Sequence, residues 1–156
     1  MTIQFLDQRI SIHNDGFGGT EPLDDLPILI GDIGLQVVAA NPANTSNVRV
    51  LLTGTANVAL SGSPEEPGPT VVSLTVERGG DGTAGTGVMI LNQQFEISAF
   101  SPFFPISVSA ADFPPAAAVL AGEIRYVLFI ASDGDVALIL NGPVVFNGVA
   151  AAGTTT

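Results

Sequence analysis

The sequence predicts an all-β, antiparallel sandwich, and three observations predict it. Apolar and polar residues alternate with a period of two over several runs, Gly and Pro (18 and 11 of 156 residues) recur as punctuation between them, and no segment holds a 3.6-residue period over a helix length. A chain of this length buries an ordinary single core without disulfides or a structural metal.

The elements follow in order. Residues 2–8 and 9–13 form a short alternating segment, with Ile3 and Phe5 set against Gln4 and Leu6, and residues 14–19 (Asn-Asp-Gly-Phe-Gly-Gly) read as a flexible linker. The body starts near Pro27. Its first strand, 28–40, carries Ile33, Leu35 and Val37 on one face and Asp32, Gly34 and Gln36 on the other, and Asn41-Pro42-Ala43-Asn44 closes it as a turn. Residues 47–60 alternate most cleanly, with Val48, Val50, Leu52, Gly54, Ala56, Val58 and Leu60 inward. After a Pro/Gly/Glu loop at 61–69, residues 70–78 repeat the pattern with Val72, Leu74 and Val76. Short strands at 88–91 and 95–99 follow the Gly-rich loop 79–87. Residues 102–110 give another strand, and 111–121 form a Pro/Ala turn that holds one helical turn. Residues 123–132 and 136–140 read as a hairpin through Asp133-Gly134-Asp135, and 143–151 complete the set. About eight short strands with turn signals between them describe an antiparallel jelly-roll sandwich.

One strand stands apart. In 123–132, Ile124, Tyr126, Leu128 and Ile130 point one way while Val127, Phe129 and Ala131 point the other, so both faces are apolar. A strand in a small antiparallel sandwich wets one face, so the second apolar face implies a second partner, read here as a subunit contact.

Composition narrows the functions. Four Arg and no Lys against fifteen carboxylates give a net charge of −11, which argues against nucleic acid and anionic membranes as partners. With no Cys there is no thiol chemistry and no disulfide framework. The N-terminal residues have neither a basic start nor a sustained apolar run, so no secretory signal is visible, and no segment reaches the ~18 apolar residues of a membrane span.

Candidate chemistry fares poorly. Gly80-Asp81-Gly82-Thr83-Ala84-Gly85 matches G-x-G-x-x-G, but a strand follows it where a phosphate loop needs a helix N-terminus. Asp133 and Asp135, and the acidic run Asp15, Glu21, Asp24 and Asp25, offer calcium ligands, yet a hairpin turn and a solvated hinge account for them better. A serine nucleophile needs a base, and the single His, His13, lies in the N-terminal segment. Sugar platforms are scarce, with no Trp and Tyr126 as the sole Tyr. Asn44-Thr45-Ser46 is a formal glycosylation sequon. Phe103-Phe104, between Pro102 and Pro105, reads as core packing at a bend. No catalytic residue, no metal and no cofactor are expected, and the chain is not read as an enzyme.

Two stretches carry a resemblance. Asp112-Phe113-Pro114-Pro115 and Ala121-Gly122-Glu123-Ile124-Arg125-Tyr126-Val127-Leu128, within a body of residues 31–148, resemble the jelly-roll domains of the tumour-necrosis-factor and complement-head type, particularly those of bacterial spore surfaces. The resemblance implies three subunits around an axis, lined by the strand that contains Ile124, Tyr126, Leu128 and Ile130. Residues 1–8 with the Gly-rich linker also look like the N-terminal connectors of endospore appendage subunits. That likeness implies an arm, residues 1–19, whose Ile3, Phe5 and Leu6 dock into the next trimer, followed by a jelly-roll domain at 20–156. A strand on a leash can add to a neighbour's sheet edge, and a contact that does not close makes a fibre. Lacking cysteines, such a fibre holds without covalent links. The expected function is therefore a structural subunit that trimerises and polymerises head to tail at a spore surface or outside the cell, with an anchoring protein there as a further partner. The alternative is a trimeric head that binds a receptor or glycan through loops 61–69 and 79–87.

Overall fold

The computed structural model describes residues 3–40, 42–62, 68–97 and 102–153. Asn41, the middle of loop 61–69, the strand end at Ala99 and the terminal threonines lie outside the described residues. Ten strands are present among those described: β1 (Gln4–Asn14), β2 (Glu21–Leu23), β3 (Ile28–Gln36), β4 (Val48–Leu60), β5 (Thr70–Arg78), β6 (Val88–Ile97), β7 (Phe103–Asp112), β8 (Glu123–Gly134), β9 (Leu138–Leu140) and β10 (Val144–Ala152). A 3-10 helix, Pro42–Asn47, stands where the sequence predicted a turn, and the Pro/Ala turn holds α1 (Ala116–Leu120).

The strands form two antiparallel sheets. In the first, β4 pairs with β7 along one edge, and its other edge is shared by β10 (residues 48–55 of β4) and β9 (residues 58–60); β1 extends β10 and β2 extends β9. The second sheet runs β3-β8-β5-β6. The principal pairs are nested along the chain: β1 with β10, β3 with β8, β4 with β7, and β5 with β6. A long antiparallel hairpin rolled on itself produces this nesting, which makes the sandwich a jelly roll.

Alternation decides which side chains meet between the sheets. Val48, Val50, Leu52, Ala56 and Val58 of β4 face Ile33 and Leu35 of β3, Val72, Leu74 and Val76 of β5, and Ile124, Tyr126, Leu128 and Ile130 of β8, all buried in one core cluster with Phe146. Two glycines let the layers approach: a Cβ at Gly31 would lie 2.5 Å from Phe146 Cβ, and one at Gly54 would lie 2.7 Å from Leu128 Cδ2. The core also contains one polar clamp between the sheets. Arg78 Nη1 of β5 donates to both Asp112 oxygens of β7 at 2.8 and 2.7 Å, and the Tyr126 hydroxyl of β8 donates to Asp112 Oδ2 at 2.7 Å.

Three expectations are corrected. Residues 88–97 are one strand, β6, bent by a bulge where Val76 and Glu77 meet Leu91 and Met89. The Asp133-Gly134-Asp135 segment is no hairpin, because β8 pairs with β3 and β5 while β9 pairs with β4 and β2, so the chain crosses there from one sheet to the other. Phe104 packs against the core, but Phe103 is exposed. Within the expected arm, Gln4–Asn14 are drawn into the fold as β1, paired with β10.

β1 also guards the second sheet. The exposed edge of β3 presents backbone N–H groups, an invitation to foreign strands. Asp7 Oδ2 accepts from the Gln36 N–H at 2.8 Å and Ser11 Oγ accepts from the Asp32 N–H at 3.2 Å, while Gln4 Nε2 donates to Ala39 O at 2.8 Å. His13 Nε2 meets Glu21 Oε2 at 2.7 Å and fastens the end of β1 to β2.

Candidate functional site

The outer face of the β1-β10-β4-β7 sheet is the feature that the core does not consume. Register lays its residues in rows: Ile12, Val145, Thr55 and Ser107; Ile10, Asn147, Thr53 and Ser109; Gln8, Val149, Leu51 and Ala111; then Phe5, Ala151 and Arg49. Ile10 and Ile12 (each 60% exposed), Phe5 (62%) and Leu51 (53%) stand in solvent. Burying residues of this kind is favourable by roughly 25 cal/mol per Å² of apolar area. These rows hold no carboxylate, in a chain that carries fifteen, and their only charge is Arg49.

Beyond the Ile12 row the face deepens into an open trough of about 640 Å³, walled by Phe17 and Phe103 and floored by Thr55, Asn57, Pro105 and Pro143. The polar groups of the face are short and partly satisfied internally: Thr53 Oγ1 donates to Asn147 Oδ1 at 2.9 Å. Hydroxyls and amides without a general base or a convergent set of acids offer docking surface in preference to chemistry.

The predicted site residues fall elsewhere. Ile124, Tyr126, Leu128 and Ile130 lie in the interior of a single chain, where the first sheet covers them, so they present no surface to another subunit. The other face of β8 is also closed within the chain. Val127 sits between Asp32 and Glu77, and Phe129 between Leu29 and Thr75, and both are buried. Two apolar faces therefore reflect a strand at the middle of its sheet. Of the predicted docking residues, Ile3 and Phe5 are exposed, while Leu6 packs against the core at a bulge in β1.

The motif loops resolve as structure. In loop 79–87 the Glu77 carboxylate, buried beneath it, accepts from the Gly85 N–H at 2.7 Å and the Gly87 N–H at 3.0 Å. The protein's own carboxylate thus fills the amide nest in which a phosphate would sit. Arg125 holds the same loop, donating to Asp32 at 2.6 and 2.9 Å and to Gly80 O at 3.1 Å. Asp81 accepts first from the Thr83 N–H and then from Thr86 Oγ1, which holds its carboxyl below the usual value. Asp24, Asp25, Asp133 and Asp135 gather around one shallow cleft, but among the described residues no three acids or histidines group as metal ligands. No helix among the described residues is long and apolar enough to cross a membrane.

Sequence reasoning missed the outer face, although its signal was present: Arg49, Thr53 and Thr55 alternate outward with no acidic residue among them. What periodicity lacked was the lateral order of strands, which puts β1 and β10 beside β4.

No protein-family model and no curated protein matches the chain. Among solved structures, a mutant VP2 protein of infectious bursal disease virus, in derived T=1 particles, aligns with a TM-score of 0.51 at 9% identity, over 94% of this chain and 35% of that one. The chain thus spans about a third of that protein's length. Eiger TNF from S. frugiperda aligns with a TM-score of 0.48 at 13% identity, over 98% of this chain and 96% of that one. At such identities the likeness to VP2 speaks for the fold alone, and it agrees with the nested strand pairing: the chain is an all-β antiparallel jelly roll.

Proposed function

We propose that the chain is a structural subunit that associates with copies of itself, three around an axis, through the outer face of the β1-β10-β4-β7 sheet. One observation carries the reading: in a chain of net charge −11 this face holds no carboxylate and exposes Phe5, Ile10, Ile12 and Leu51 among short polar residues. Like-charged copies repel over most of their surface, so they meet at lowest cost where the acids are absent. Four strands by eight residues make a face of roughly 500 Å² from strand spacing and rise, on which apolar and short polar side chains are interleaved. Sedimentation of Leu51→Asp against the wild type tests it. A charge at the middle of the face leaves the variant monomeric, and unchanged association of the variant removes the reading.

The extended form of the proposal is a head-to-tail polymer, a fibre at a spore surface or outside the cell, held there by an anchoring protein. Since β1 lies in its own sheet, polymerisation proceeds by exchange: β1 of one copy, hinged at residues 14–19, pairs with β10 of the next. Gln4 and Ala152 are register partners away from the outer face, so Gln4→Cys with Ala152→Cys locks β1 in place in a chain without other cysteines. Negative-stain microscopy then shows discrete particles when the pair is oxidised and fibres when it is reduced; fibres in both states remove the exchange. A receptor- or glycan-binding head is the weaker reading, because Glu77 already occupies the amides of loop 79–87.

A further inference from the structure

Arg49 poses a question that the apolar face alone does not answer. The chain has four Arg and fifteen carboxylates, so an arginine without an acid is an exception to be explained. Three of the four are paired on their own chain: Arg9 with Asp7 at 2.9 Å, Arg78 with Asp112 at 2.7 Å, and Arg125 with Asp32 at 2.6 Å. Among the described residues Arg49 has neither a carboxylate nor a hydrogen-bond acceptor. It is half-buried on β4, beside Ala151 of β10 and two residues from Leu51. A guanidinium is a rigid fork of five donors suited to bidentate capture of a carboxylate, and covering it without an acceptor is costly.

We infer that Arg49 is the electrostatic anchor of the subunit contact, receiving a carboxylate from a neighbouring copy of this chain. The inference rests on the self-association proposed above. A second copy fits as the occupant on charge: the carboxylates of Asp15, Asp25, Glu96, Asp133 and Asp135 accept no hydrogen bond within the described residues, so each copy offers unengaged acids and one unengaged guanidinium. An apolar face attracts without direction. A single ion pair at its margin fixes which way round two copies meet.

The test is sedimentation equilibrium of the full chain as wild type, Arg49→Ala, Arg49→Glu and Leu51→Asp, at low and high salt, with circular dichroism to establish folding. Arg49→Ala is expected to associate about tenfold more weakly and Arg49→Glu more weakly still, since its charge repels the incoming acid. Both deficits narrow at 1 M salt, where screening reaches about 3 Å. Arg49 variants that associate like the wild type, while Leu51→Asp is monomeric, overturn the anchor and leave the self-association standing. A Leu51→Asp variant that associates like the wild type, or a wild type that stays monomeric, overturns both.

Discussion

The Tyr126 hydroxyl donates at 2.7 Å across the sandwich to Asp112 Oδ2, an oxygen that Arg78 Nη1 also holds while spanning both oxygens of that carboxylate. β5, β7 and β8 are therefore tied by one buried polar knot. Such knots are costly when half-dismantled. Tyr126→Phe removes one hydrogen bond to a charged group and is expected to destabilise by about 1.5–3 kcal/mol. Asp112→Ala strands a half-buried guanidinium and a buried hydroxyl together, for up to about 3–5 kcal/mol. Denaturant titration ranks the two; equal losses would mean that the knot is not coupled.

The same pair gives an alkaline signature. Burial first, and then the hydrogen bond to Asp112, push the Tyr126 phenol far above its ordinary value of 10.0. Its folded value is raised, so the associated stability is complete below pH 10 and declines above it, as the unfolded chain alone gives up the proton. The decline is about 1.4 kcal/mol per pH unit. With a single Tyr in the chain, ultraviolet absorbance of the phenolate reports it directly. Ionisation coincident with unfolding is expected, and Tyr126→Phe should lose this component of the alkaline decline.

Asp7 provides the opposite sign at acid pH. Burial alone would raise its pKa, but the Gln36 N–H, the Arg9 guanidinium and the Gln8 N–H outweigh burial and hold the carboxyl below 3.8. A lowered folded value means that the contribution is present above pH 3.8 and is lost as pH falls below it. The Gln36 amide is then uncapped. The protection of Gln36 and of β1 against hydrogen exchange, relative to the intrinsic rate at each pH, should fall in acid, and Asp7→Asn should show part of that loss at neutral pH; protection that ignores both would remove Asp7 as the guard of β3.

Gly31 is expected to be intolerant of a side chain. Its Cβ would meet Phe146 Cβ at 2.5 Å, close to the ring's backbone attachment, where a rotamer change gives no relief. Gly31→Ala should cost about 1–3 kcal/mol by overpacking. Gly148→Ala should cost less, because the atoms it meets are the ends of the Ile33 and Leu52 side chains. Thermal melts that reverse this order would show that Phe146 can move.

Salt tests the charge argument as a whole. Copies of charge −11 repel at range, and the screening length falls from about 30 Å at 0.01 M to about 3 Å at 1 M. Association of the wild type should strengthen across that interval, and divalent cations should act at lower concentration. A flat response would mean that the outer face meets its partner without regard to the remaining surface.

Much of the fold was legible because alternation survives wherever one face is wet. The inward set of β4 and the bounds of β5 follow directly from Val48–Leu60 and Thr70–Arg78. Legibility failed where length or neighbourhood, not pattern, decides. Glu21–Leu23 is a three-residue strand, too short to show a period. Asp133-Gly134-Asp135 has the chemistry of a hairpin, but the partner of β9 is β4, set by packing far along the chain. The two-faced strand misled for the same reason: Val127 and Phe129 are covered by their own sheet, and one strand's sequence does not reveal its rank in a sheet. The outer face needed the lateral order of β1, β10, β4 and β7 before its rows came together.

The pairing of β1 with β10 has a consequence during synthesis. β1 leaves the ribosome well before the β10 it bonds to, so for roughly 10–30 s at ordinary elongation rates that partner strand of its own chain does not yet exist. For that interval its choice of mate is a race between chains. On a crowded polysome a finished β10 on a neighbouring chain competes for it, so under the exchange proposed above the local concentration at birth bears on which pairing forms.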